Sequence, residues 1–155
     1  MCTEYNVYKM YTIGDCYVVM GFTNCYERNP VREAKNVVNY SFEMLKTIEK
    51  VKKERPHLSC LNMRIGIHTG TIIGGIVGTE IVRYDIYGPD VVVANKFEEE
   101  GKIGEIHISE ETKKLLDQLE KKPYSENNIY PSEKVELKKL NVEYNGYFIK
   151  RGNLS

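Results

Sequence analysis

The chain has 155 residues, 41% of them hydrophobic and 28% charged, with 22 Lys plus Arg set against 22 Asp plus Glu. That is the size and composition of one soluble globular domain, 1–155. A formal net charge of zero leaves no electrostatic footprint for nucleic acid or for an acidic membrane surface. No apolar run approaches the ~18 residues of a membrane-spanning helix, so this piece is expected to make no direct membrane contact.

In chain order, Tyr5 to Gly21 reads as two strands rich in β-branched and aromatic residues, broken at Gly14-Asp15. Asn29-Pro30 is a helix start, asparagine capping and proline fitting the first helical position. Ala34, Val37, Val38, Ser41, Met44, Leu45, Ile48 and Val51 then repeat at helical spacing, and Pro56 stops the helix near Arg55. Leu61 to Gly70 and Thr71 to Gly78 read as a hairpin turning at His68-Thr69-Gly70-Thr71. Tyr84 to Tyr87 is a short strand or turn, Asp90 to Glu100 a helix, and Glu105 to Ile108 a strand. Ser109 caps a further helix, with Glu110 and Glu111 in its first turn. Lys121 to Glu133 reads as an exposed loop, and Lys134–Leu140 with Glu143–Lys150 as a terminal hairpin turning at Asn141 or Asn145-Gly146.

The four cysteines, Cys2, Cys16, Cys25 and Cys60, form no CxxC pair and have no histidine at zinc spacing. They read as reduced, mostly buried thiols. The glycines at 74, 75 and 78 are no phosphate cradle, because GxxxxGK[ST] is absent. They read as sites of close backbone packing or bulges. His68 reads as a turn or packing residue rather than a base. The pattern as a whole is that of an α+β domain.

Two stretches go further. TIGDCYVVMG, Thr12 to Gly21, resembles the second metal-binding segment of class III adenylate and guanylate cyclases. Met63 to Thr112, with its RIGIHTG strand, YDIYG turn, following helix and GEIHISEET element, runs parallel to that family for about fifty residues. The resemblance implies a ferredoxin-like palm (βαββαβ-type) that works as a pair, with its sites at the dimer interface. It implies conversion of GTP or ATP to a 3′,5′-cyclic nucleotide and pyrophosphate.

Residue by residue, the resemblance makes Asp15 one of two carboxylates for Mg²⁺ or Mn²⁺, a role that suits a hard cation. It makes Gly14 and Arg64 nucleotide-binding, Arg64 through the triphosphate, for which a guanidinium fork is suited. Other positions depart from the family. Its transition-state asparagine and arginine fall on Val92 and Lys96, which supply neither an amide donor nor a bidentate fork. The base-reading positions fall on Tyr11 and Asp85. The triphosphate lysine has no counterpart in KKLNVEYNGYF. The family's other metal aspartate lies on an earlier strand, so the sequence reads as N-terminally truncated.

Such losses resemble the metal-supplying half of a heterodimeric cyclase. The expected partner is therefore a complementary cyclase domain, separate or in the same protein, and the isolated piece is expected to be inactive. Tyr11, Asp85, Val92 and Lys96 then line only the degenerate site. The Asn, Lys, Ile and Tyr bias resembles protozoan guanylate cyclases, which favours GTP over ATP and a cytoplasmic domain of a larger membrane-anchored protein. A pseudocyclase acting as a dimerisation or regulatory module is the rival expectation.

Overall fold

The computed structural model describes residues 2–22, 26–80, 82–138 and 141–150. Strands β1 (Tyr8–Ile13) and β2 (Cys16–Met20) form an antiparallel hairpin with Ile13 opposite Cys16. Gly14 occupies the first turn position at φ +60°, a backbone conformation that glycine reaches without steric cost. Helix α1 (Pro30–Glu54) begins as the sequence dictates. The Asn29 side chain accepts a hydrogen bond from the Arg32 N–H at 3.0 Å, and Glu33 accepts one from the Asn29 N–H at 3.0 Å. The helix ends where Arg55 N–H donates to the Val51 carbonyl, immediately before Pro56.

The main sheet has four strands in the order β3 (Ile65–Ile67), β6 (Ile106–Ser109), β10 (Gly146–Ile149), β7 (Ile129–Pro131). β3 runs parallel to β6, and the other two pairings are antiparallel. Period-two alternation sends Ile67, Ile106, Ile108 and Ile149 to one face, against Ala34, Val38 and Leu45 of α1 and Leu116 of α3 (Glu110–Leu116). The opposite face of β6 carries His107, which lies 4.7 Å from the Phe97 ring and 4.2 Å from that of Phe148. Phe97 belongs to α2 (Pro89–Glu99), which packs with Val93 against Val135 and Leu137. β6 is thus covered on both faces, and all four of its residues are buried.

The hairpin expected from Leu61 to Gly78 does not form. β3 pairs with β6, while β4 (Ile73–Val77) pairs antiparallel with β5 (Arg83–Tyr87). The His68–Thr71 segment runs on instead of reversing because Asp90, at the start of α2, captures both of its ends. Its carboxylate accepts the Thr71 N–H at 2.6 Å and lies 3.2 Å from His68 Nε2. His68, only 3% exposed, also meets Ser109 Oγ at 2.8 Å through Nδ1, which agrees with its reading as a packing residue.

Two further expectations are corrected. The supposed loop at 121–133 contributes β7 to the sheet edge, where Pro131 is tolerated because an edge strand needs no second row of donors. The C-terminal hairpin is shorter than expected. β8 (Val135–Leu137) pairs with β9 (Val142–Tyr144), Asn141 sits at φ 52°, and Gly146 already starts β10 of the main sheet. Leu140 lies outside the described residues, as does Cys25. Cys2, Cys16 and Cys60 are free thiols, Cys60 exposed and the others half-buried, so burial is less than expected.

Ser109 does cap α3, accepting from Thr112 N–H at 3.4 Å while it also holds His68. Ser109→Ala is expected to cost about 1–2 kcal/mol, the upper part of the range for a lost cap, since a second buried contact goes with it. Urea unfolding of wild type and variant measures this directly. An unchanged midpoint would show that the cap is dispensable.

Candidate active site

The Gly14-Asp15 turn projects from the end of the β1–β2 hairpin. Asp15 is exposed and makes no hydrogen bond or ion pair among the described residues. Nothing lies within 4 Å of the Cβ position of Gly14, so the approach to the turn is open. A rigid hairpin tip bearing one unengaged carboxylate suits a hard divalent cation, which takes one or two protein carboxylates and fills its shell with phosphate and water. No cluster of three or more His, Cys, Asp or Glu residues able to hold a metal occurs among the described residues. Asp15 by itself offers a single carboxylate, which fits an ion completed by other ligands.

Arg64 immediately precedes β3, and its Nε–H donates to Glu98 Oε1 of α2 at 2.8 Å. The same glutamate reaches the hairpin electrostatically. Burial pushes the Cys16 thiol up, and the negative charges of Glu98 and Asp15 add to it. The Arg64–Glu98 pair thus joins the start of β3 to α2, and the Glu98 charge acts on the hairpin that carries Asp15 and Cys16. Glu98 was missed in the sequence. Within FEEEG it is one of three equivalent glutamates, and only packing selects it.

Tyr11 and Asp85 are also brought together. Burial pushes the Tyr11 phenol up, and the Asp85 carboxylate is the next contributor. Asp85 is only 7% exposed and already committed, accepting from Ile86 N–H at 2.9 Å and from Tyr87 hydroxyl at 3.2 Å, with Arg83 at 3.3 Å. Val92 and Lys96 lie one turn apart on α2, so they share a helix face. Val92 is 56% exposed, and Lys96 Nζ is held at 3.1 Å by both Glu99 and Glu100 of its own helix. On the β4–β5 hairpin, Ile73, Val77 and Tyr87 are exposed on one face and Ile76 and Tyr84 on the other.

Residues 1–151 match the model of the adenylate and guanylate cyclase catalytic domain. The chain belongs to this family. It is 36% identical over 117 residues to guanylate cyclase alpha of Plasmodium falciparum, a match covering 74% of this chain and 3% of that protein. It is 35% identical over 117 residues to adenylate cyclase type 9 of Xenopus laevis, covering 76% of this chain and 9% of that protein. The matched piece is thus a small fraction of these relatives' length. Among solved structures, the guanylate cyclase domain of RhGC from Catenaria anguillulae, in complex with GTP, superposes with a TM-score of 0.73 at 24% identity. That alignment covers 96% of this chain and 75% of the other, so the two share the class III cyclase fold. Guanylate and adenylate cyclases both occur among its relatives.

Proposed function

We propose that this cyclase domain is the metal-contributing half of a paired catalytic site that converts GTP to cyclic GMP and pyrophosphate. The single observation that carries the proposal is the contrast along the chain. Asp15 stands exposed and unengaged, while the positions expected to stabilise the transition state, Val92 and Lys96, offer a methyl-bearing side chain and an ammonium tied to two glutamates. One half of the required chemistry is supplied and the other is not. Exposed Ile73, Val77 and Tyr87 on one face of the β4–β5 hairpin, and exposed Val92 on α2, support a complementary cyclase domain as the partner, since such side chains are favourably buried in a contact.

In this reading the ribose 3′-hydroxyl attacks the α-phosphorus and gives up its proton to solvent, the new P–O bond closes the ring, and pyrophosphate leaves with the electron pair of the broken bond. The divalent ions that class III cyclases use would supply positive charge to the triphosphate and polarise the attacking hydroxyl. Asp15 would hold such an ion, and the open Gly14 turn would admit the phosphates to it. Arg64 would bind the triphosphate with its outer nitrogens, and such charge-assisted bonds strengthen as negative charge moves toward the leaving group. Asp85 and Tyr11 would face only the degenerate site, where Asp85 is already engaged by Ile86 N–H, the Tyr87 hydroxyl and Arg83. The base is then read by the partner, and the lean toward GTP rests on likeness to the Plasmodium guanylate cyclase.

The test is to express the chain alone and with a complementary cyclase domain carrying the asparagine and arginine, then quantify cyclic GMP and cyclic AMP from GTP and ATP with Mn²⁺. Product is expected only from the pair, with cyclic GMP in excess. Cyclic AMP in excess would reverse the substrate assignment. A folded pair yielding neither product would instead establish a pseudocyclase serving as a dimerisation module, a reading favoured by the tied Lys96.

A further inference from the structure

The ion pair between Arg64 and Glu98 joins a residue at the start of β3 to the last turn of α2, across 34 positions of sequence. Its geometry is not left to two flexible side chains. Gly66, two residues along β3, lies so close to α2 that a Cβ there would sit 2.1 Å from the backbone nitrogen of Glu98 and 2.6 Å from the carbonyl carbon of Phe97. Strand and helix backbones therefore touch at the level of Glu98. Gly101, just past the helix, lies close against its end, a Cβ there sitting 2.8 Å from the Glu98 carbonyl oxygen and 3.5 Å from Arg64 Cβ. Both partners are anchored at their roots, Glu98 by this backbone contact and Arg64 by the adjoining strand.

The contact uses the inner nitrogen of the guanidinium. Nε–H donates to Glu98 Oε1, and the outer two nitrogens donate to no group among the described residues, with the Arg64 side chain 47% exposed. A carboxylate holding Nε fixes the plane of the fork while leaving its outward edge clear, an arrangement that receives a polyanion without consuming the donors that bind it. Free arginine loses rotamer freedom on binding, and a side chain already fixed in place avoids most of that cost.

We infer that Glu98 is a positioning residue for Arg64, pre-orienting its guanidinium toward the triphosphate; this rests on the assignment of Arg64 to the triphosphate made above. The opposite influence is also present. Glu98 brings a negative charge to the guanidinium, and that charge repels a polyanion approaching Arg64. The two effects have different chemical requirements. Orientation needs only a hydrogen-bond acceptor, which glutamine retains, whereas repulsion needs the charge, which glutamine removes.

The decisive experiment compares wild type, Glu98→Gln and Glu98→Ala, each also with Arg64→Ala, in the chain paired with its complementary cyclase domain. Affinity for inorganic tripolyphosphate is measured calorimetrically, and the Arg64 Nε–H resonance is followed by NMR. Glu98→Ala is expected to weaken tripolyphosphate binding about three- to tenfold and to return the Nε–H signal to its solvent-exposed position. Glu98→Gln is expected to stay within about twofold of wild type, and Glu98→Ala to have no effect once Arg64 is alanine. Tighter binding in both Glu98 variants would overturn the inference in favour of repulsion. An equal loss with and without Arg64 would overturn it in favour of a purely structural role. Because tripolyphosphate binding needs no turnover, a pair that binds as expected yet makes no cyclic nucleotide would sustain the positioning role and defeat the cyclase reading. A wild-type pair that binds no tripolyphosphate would defeat both.

Discussion

Asp15→Ala is expected to reduce cyclic nucleotide formation by the assembled pair more than about a hundredfold, on the scale set by removing a single group that stabilises transition-state charge. The same change should leave stability within about 0.5 kcal/mol of wild type, because the side chain is exposed and has no hydrogen bond or ion pair among the described residues. The combination is what makes the experiment informative. Loss of activity through unfolding would shift the urea midpoint, whereas loss through the site would not. Asp15→Asn sharpens it further, since the amide keeps the size and turn propensity of aspartate but gives up the charge a hard cation requires. Full activity in either variant would remove Asp15 from the site and with it the metal-contributing role. Full loss in both, with an unchanged midpoint, would leave electrostatics as the cause.

Gly66→Ala is expected to be the most destabilising single-methyl change in the chain, by about 3 kcal/mol or more, at or above the top of the usual range for overpacking. A Cβ at this position meets three backbone atoms of α2 at 2.1–2.7 Å, and backbone cannot swing aside as the end of a side chain can. The sheet offers no relief either. Gly66 is held between its neighbours in parallel register with His107, and the opposite face of β3 is packed by Ile67 against α1. The helix would have to lift, uncovering Phe97 and Val93, both fully buried. Equilibrium urea unfolding gives the magnitude, and a loss below about 1 kcal/mol would mean that α2 slides freely over the sheet. Where the fold survives, Glu98 is carried away from Arg64, so weakened triphosphate binding should accompany the instability.

Much of this was legible in the residues themselves. The Gly14-Asp15 turn, the Asn29-Pro30 start and Pro56 stop of α1, and the Ser109 cap are local events. Each depends on a backbone conformation or a side-chain acceptor within four residues of its partner, and sequence records such things directly. Asp15 and Arg64 are proposed as site residues because they sit inside long runs similar to the cyclase family. By contrast, strand pairing depends on partners far along the chain. Ile65–Ile67 and Ile73–Val77 are adjacent apolar runs with glycines near the expected turn, and alternation alone cannot say that one joins a buried parallel strand and the other an exposed arm.

Asp90, for instance, ties Thr71 and His68 from nineteen and twenty-two positions away. Only packing, likewise, singled out one glutamate of three in FEEEG and set it on Arg64, through the contact that Gly66 permits. The sequence by itself determined the local geometry and the chemistry offered at the turn. The tertiary structure alone decided which distant groups meet, because such choices are made by close contact between surfaces that are not neighbours in the chain.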